Sequence, residues 1–275
     1  MSFTTADVVK LRKATGAGMM DCKNALTEAE GNFDRALEII RERGKLVASK
    51  RADREATEGV VLAKVSGDAK FGAIVVLNCE TDFVAKNENF VDFTSKILDL
   101  ALANKPASLD ELKELMLDGR TVGAQVVEQT GIIGEKLDLS YYGKVEAAQV
   151  VPYIHPGNKL ATLVGLSQEV ADIQVGKDVA MQVAAMNPVA VDRDAVPQTT
   201  IEKELEIAKE KFRLEGKPEA MLDKIAQGAL QKFFKDSTLL EQDFIKDSKV
   251  TVKQYLVSVD KSLTVTAFDR YGLDA

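Results

Sequence analysis

The chain has 275 residues but only one histidine, His155, and two cysteines, Cys22 and Cys79, so little of the usual catalytic or metal-binding chemistry is available to it. His155 sits in a His155-Pro156-Gly157-Asn158 turn, and neither cysteine has a second cysteine or a histidine at the spacing a metal site needs. A Cys–His nucleophile pair would have to be assembled from distant segments, and nothing local orients one. The two thiols read as small buried apolar groups. Gly16-Ala17-Gly18 opens like a dinucleotide-binding fingerprint. That motif needs a preceding strand and a third glycine, whereas here a helical segment precedes and Asp21 takes the third position. There is no G-x-x-x-x-G-K-[ST] phosphate loop. With 43 carboxylates in the chain, Asp and Glu pairs arise by chance, so spacing does not argue for a carboxylate active site. The expectation is a protein with no catalytic residue, metal or cofactor of its own.

Two segments suit contact better than catalysis. Thr81-Asp82-Phe83-Val84-Ala85-Lys86-Asn87-Glu88 places one aromatic ring among polar residues between a strand and a helix. Phe83 is either a plug in the core or a protruding group that enters a partner, with Asp82 fixing the loop or accepting a hydrogen bond. Met19-Met20 follows the Gly-Ala-Gly turn. Neighbours on a helix point about 100° apart, so one is expected to fill the core and the other to be an adaptable exposed contact.

Hydrophobic residues make up 45% and charged residues 29% of the chain, the profile of an ordinary folded protein. The formal net charge of -7 argues against phosphate-led binding of nucleic acid. The apolar runs are shorter than the about 20 residues that span a bilayer, and the N-terminal MSFTTADVV has neither a signal nor a transit pattern. A cytoplasmic protein without a direct nucleic-acid or membrane partner is expected.

The elements that must carry these segments can be read along the chain. Residues 1–44 form three short helices: Thr4 or Thr5 caps the first, with Val8, Val9 and Leu11 inward, and Cys22, Ala25, Leu26 and Ala29 line the second. Asn32 caps the third, which turns Phe33, Ala36, Leu37 and Ile40 inward. Residues 45–56 are a charged, solvated helical linker. A unit of β-hairpin plus helix then appears twice, in subdomains at 57–140 and 141–196. The first copy has strands at Val60–Val65 and Phe71–Cys79 and a helix over 89–103. The second has strands at Val145–Tyr153 and Leu160–Ser167 and a helix over 176–186. Between the copies come a short helix with a Ser108–Glu111 capping box and another over 121–130. Residues 197–238 form an antiparallel helical hairpin with seams Ile201, Leu205, Ala208, Phe212 and Leu222, Ile225, Ala229, Phe233. Residues 239–275 return to the core through a helix at Val250–Val259 and a strand at Leu263–Phe268. The fold class is α+β: a three-helix, ubiquitin-associated-like domain, two related hairpin/helix subdomains and a projecting helical hairpin.

The segments Thr15–Leu26 (TGAGMMDCKNAL), Asn78–Asn87 (NCETDFVAKN) and Ala180–Pro188 (AMQVAAMNP) closely resemble bacterial elongation factor Ts. The first two are specific, their order and spacing match, and the resemblance extends over essentially the whole chain. It implies a guanine-nucleotide exchange factor for the GTPase elongation factor Tu in translation elongation. On the matching motif, Thr81, Asp82, Phe83 and Val84 would disturb the GTPase's magnesium and phosphate site. Met19 and Met20, with Arg12, would dock on the same GTPase domain, and His155 would approach another. The helical hairpin would be a dimerisation or projecting element. Its two seams can satisfy each other within one chain, so a monomer or weak homodimer is expected. Some members add a C-terminal helix that contacts the GTPase; this sequence closes on Arg270-Tyr271-Gly272-Leu273-Asp274-Ala275, and that contact is not carried over. The competing reading is a non-enzymatic adaptor that binds through its N-terminal helical domain alone.

Overall fold

The computed structural model describes residues 3–273, and within them helix and sheet are mixed. Three helices come first: α1 (Thr5–Thr15), α2 (Met19–Glu28) and α3 (Phe33–Lys50). Thr4 caps α1 in a capping box, its own amide donating to the Asp7 carboxylate at 2.8 Å. Gly16 ends α1 at φ 75°, a left-handed conformation that costs glycine little. Asn32 caps α3 by accepting from the Arg35 amide at 3.0 Å. Leu11, Cys22, Ala25, Leu26, Ala36 and Ile39 close a small core. Val9, expected inside, is exposed; Val8 and Leu11 alone cover that face of α1. Helix α3 does not stop near residue 44 but runs straight into the charged segment, so those cations ride on a continuous helix.

Next come β1 (Glu58–Val65), β2 (Phe71–Cys79), α4 (Asp82–Ala85), α5 (Glu88–Asn104), α6 (Leu109–Glu114), the short β3 (Met116–Leu117) and β4 (Arg120–Thr121), α7 (Val122–Ile133) and β5 (Asp138–Glu146). The sheet order β1-β2-β5 puts β2 in the middle. Every residue of β2 is buried, as its unbroken apolar run requires of a strand covered on both faces. Ser108 caps α6, but its partner Glu111 reaches back to the Ala107 amide (2.6 Å), one residue earlier than a capping box would.

Helices α3 and α7 cross where glycine meets glycine. A Cβ on Gly131 would lie 2.1 Å from the Gly44 Cα, so only hydrogen at Gly131 allows the approach, whereas a Cβ on Gly44 would meet nothing nearer than 3.6 Å. Beside the crossing, Glu128 on α7 pairs with Arg41 of α3 (3.4 Å) and with Arg120.

The remaining elements are β6 (Gln149–Ile154), β7 (Leu160–Leu166), α8 (Ile173–Met186), α9 (Gln198–Leu214), α10 (Glu219–Ser237), β8 (Asp243–Phe244), β9 (Asp247–Thr251), α11 (Val252–Val259) and β10 (Val265–Gly272). The single strand expected at 145–153 is two strands, β5 and β6. Around the break, the Ala147 and Val150 amides donate to the carbonyls of Lys70 (3.1 Å) and Ala69 (2.6 Å). The returning helix expected from residue 250 starts at Val252, with Thr251 and Gln254 forming its capping box. Strand β10 pairs antiparallel with β7, giving the order β10-β7-β6. Val151, Val164, Val179, Val183, Leu239 and Leu256 are central to the core here. In the helical hairpin the buried stripe of α10 is Leu222, Ala226, Leu230 and Phe234, one residue on from the expected seam for three of its four members.

The described residues divide into two compact units, one comprising 3–62, 75–142 and 273, the other 63–74 and 143–272. No helix among the described residues is long and apolar enough to cross a membrane.

Candidate partner-binding site

Strand β2 ends at Cys79, and the chain turns at once into α4. Thr81 makes the turn. Its extended backbone and side chain cap α4, with Oγ1 accepting from the Val84 amide at 3.5 Å. Its carbonyl accepts from the Ala85 amide (3.2 Å) and the Cys79 thiol (3.1 Å). Burial pushes that thiol up to about 12, with the Glu135 carboxylate adding to the effect, so Cys79 remains a neutral donor.

Phe83 sits on this turn and is 83% exposed, the most exposed large apolar side chain among the described residues. The core-plug reading is therefore set aside. Asp82, beside it, pairs with Lys86 one helical turn on, at 2.6 Å. Val84 lines a groove of about 790 Å³ with Asn87, Phe90, Ile132 and Ile133. No residue of α4 is fully buried, and only Val84 and Ala85 are half-covered on its apolar side, so apolar packing gives it little hold.

The hold is polar. The Glu135 carboxylate accepts from the Thr81 amide (3.0 Å) and hydroxyl (2.6 Å). Next to it, the Lys136 amide donates to Glu80 (2.6 Å), whose two carboxylate oxygens also accept from Arg51 Nη1 (2.7 and 2.9 Å). The Lys136 amide, and after it Arg51, holds the Glu80 carboxyl below the ordinary carboxylate value. The Lys136 ammonium closes the lattice on the carbonyls of Ala52 and Arg54, both at 2.8 Å. Arg51, expected in a solvated linker, is thus bound into the support of the turn. Glu80, Glu135, Arg51 and Lys136 escaped the sequence reading: Glu135 and Thr81 lie 54 positions apart, and local pattern carries no trace of their meeting.

Met19 and Met20 open α2, and both are exposed, at 37% and 64%. The expectation that one fills the core fails because Cys22, Ala25 and Leu26 already occupy the inward face. Arg12, in the last turn of α1, is exposed as well. The structure therefore leaves a basic group and two flexible apolar side chains in solvent on either side of the Gly16–Gly18 turn. His155 lies at the exposed tip joining β6 and β7, where Tyr153 meets its Nδ1 at 2.9 Å. Gly157 and Asn158 take positive φ and let the turn close from the His155 amide onto the Leu160 carbonyl at 2.8 Å. Among the described residues no three His, Cys, Asp or Glu side chains are grouped as metal ligands.

Comparison with known proteins agrees in breadth. A family model described as Elongation factor TS matches residues 80–275. The chain is 52% identical over 274 residues to the elongation factor Ts of Azobacteroides pseudotrichonymphae, covering 100% of this chain and 99% of that one. It is 52% identical over 276 residues to the protein of that name from Porphyromonas gingivalis, covering 100% of both. It is 53% identical over 272 residues to the one from Christiangramia forsetii, covering 98% of each.

Proposed function

The chain belongs to the elongation factor Ts family, translation elongation factors rather than enzymes, and from that premise we propose that it is the guanine-nucleotide exchange factor of a cytoplasmic elongation factor Tu. In this reading the turn Thr81-Asp82-Phe83-Val84 enters the GTPase beside its magnesium and phosphate site. Met19, Met20 and Arg12 grip the nucleotide-binding domain, and His155 contacts a second domain. The observation that carries the proposal is Phe83: a large ring almost wholly in solvent on a turn braced from Glu135 and Lys136, where a partner can take it up. Thr81 acts by shaping the turn, since its hydroxyl is engaged within the chain.

The energetics follow from linkage. A factor that binds the empty GTPase more tightly than the GDP-bound form weakens GDP by the same ratio. Disturbing charge-assisted phosphate and magnesium contacts removes strong terms, so a few side chains suffice. No nucleotide site is required on the factor itself. The hairpin stripe Leu222, Ala226, Leu230 and Phe234 is buried within one chain, which supports a monomer or weak homodimer.

The test is release of a fluorescent GDP from elongation factor Tu with the protein present well below the GTPase concentration. Acceleration with many turnovers per molecule is expected. Binding without acceleration would mark an adaptor that acts through its helical domain and would overturn the proposal.

A further inference from the structure

We infer that Glu135 is a positioning residue for the exposed ring of Phe83, holding the turn that presents it; the functional half of this inference rests on the exchange-factor reading above. The argument starts from what α4 lacks. It has four residues, none of them fully buried and only Val84 and Ala85 half-covered on its apolar side, so packing alone gives little hold on the direction in which Phe83 points. Its placement depends on the two residues before it. Glu80 and Thr81 are each held by one of the consecutive residues Glu135 and Lys136, which follow the left-handed Gly134 at the end of α7.

Two residues clamped by two is a different constraint from a single contact. A single hydrogen bond leaves the chain free to swivel about it, whereas this pair of anchors fixes both position and direction. Glu135 is the anchor nearer the ring, and it takes both donors of Thr81, the residue whose side chain caps α4. Losing that carboxylate frees the cap without touching Phe83, Asp82, Met19, Met20 or His155. An insertion that must meet a partner's phosphate site is sensitive to such loosening, because a displacement of about 1 Å can cost on the order of a hundredfold in rate.

The substitutions are Glu135→Ala and Glu135→Gln, and the first measurement is made on the free protein. Amide exchange at Val84 and Ala85 should become roughly tenfold faster or more in Glu135→Ala. It should return close to wild type in Glu135→Gln. The glutamine carbonyl can accept from the Thr81 amide, and the Thr81 hydroxyl can turn to accept from the glutamine NH₂. Unchanged exchange in Glu135→Ala would overturn the clamp whatever the partner does.

The second measurement is GDP release from elongation factor Tu at saturating factor, together with affinity for the nucleotide-free GTPase. Glu135→Ala should slow saturated release roughly tenfold while affinity changes by less than about threefold, because the other contacts persist. In the Glu135→Ala background, Phe83→Ala should add little further loss, since both substitutions disable one device. Independent, multiplying effects would refute the positioning role, as would a loss of affinity and melting temperature with saturated release intact. Failure of the wild type to stimulate release would remove the exchange-factor reading alone, since the amide-exchange result stands apart from it.

Discussion

Replacing Phe83 by alanine separates insertion from packing most cleanly. In the free protein the ring is 83% exposed, so its removal leaves no cavity, and stability should change by no more than about 0.5 kcal/mol. A core phenylalanine would instead cost about 3–5 kcal/mol, several degrees of melting temperature in a chain of this length. Binding reverses the comparison. A phenylalanine side chain offers about 200 Å², so full burial of the exposed part against a partner removes roughly 165 Å² from water. At about 25 cal/mol per Å² that is a ceiling near 4 kcal/mol. If only a third of it belongs to the nucleotide-free state and not the GDP-bound one, about 1.4 kcal/mol of coupling is lost and stimulated release slows about tenfold. The paired assay is thermal melting of the free protein and fluorescent-GDP release at saturating factor. A variant that melts like wild type and releases GDP at the wild-type rate would refute the insertion argument, and one that melts far lower would show that the ring supports the fold.

Other expectations follow from the same geometry. Replacing Met19 and Met20 together by alanine should leave the melting temperature within a degree or two, since both are exposed, while weakening affinity for the GTPase by titration calorimetry; collapse of the helical domain would contradict this. Gly131→Ala must push α7 off α3 and should cost about 1–3 kcal/mol by chemical denaturation; a neutral result would mean that the crossing is slack. Glu80 is held below the ordinary carboxylate value, so its stabilisation is complete above about pH 4.3 and is lost as pH falls through its depressed folded value. Wild type should therefore lose melting temperature more steeply than Glu80→Gln between about pH 5 and pH 3, and parallel curves would count against the Glu80 clamp.

The parts legible in sequence were those governed by neighbours along the chain. Thr4 and Asn32 are caps because a short oxygen side chain can reach an amide two or three residues on, and that rule needs no tertiary partner. Strand β2 was read to the residue because its apolar run is long and bounded by turn residues. The break between β5 and β6 was illegible, since it depends on the amides of Ala147 and Val150 finding the carbonyls of Lys70 and Ala69. The α10 seam was misread because Ile225-Ala226, Ala229-Leu230 and Phe233-Phe234 are adjacent apolar pairs that periodicity alone cannot order. Packing of Leu230 and Phe234 with Ala190 and Val196 decides between them. At the site, the motif itself stood out, whereas its supports at Arg51, Glu135 and Lys136 come from distant segments.

The meeting of Gly44 and Gly131 also constrains how this chain can drift over evolutionary time. Most close contacts tolerate an enlargement on one side if the other side shrinks, so pairs of positions can wander together through sequence space. Gly131 has no such exchange open to it, because Gly44 opposite has no side chain left to trim. A substitution at Gly131 can be relieved only by moving a whole helix, and α3 carries the three-helix domain on one end and Arg51, with its grip on Glu80, on the other. Suppressors of a Gly131 variant should therefore fall along the flanks of α3 and α7, away from the contact itself.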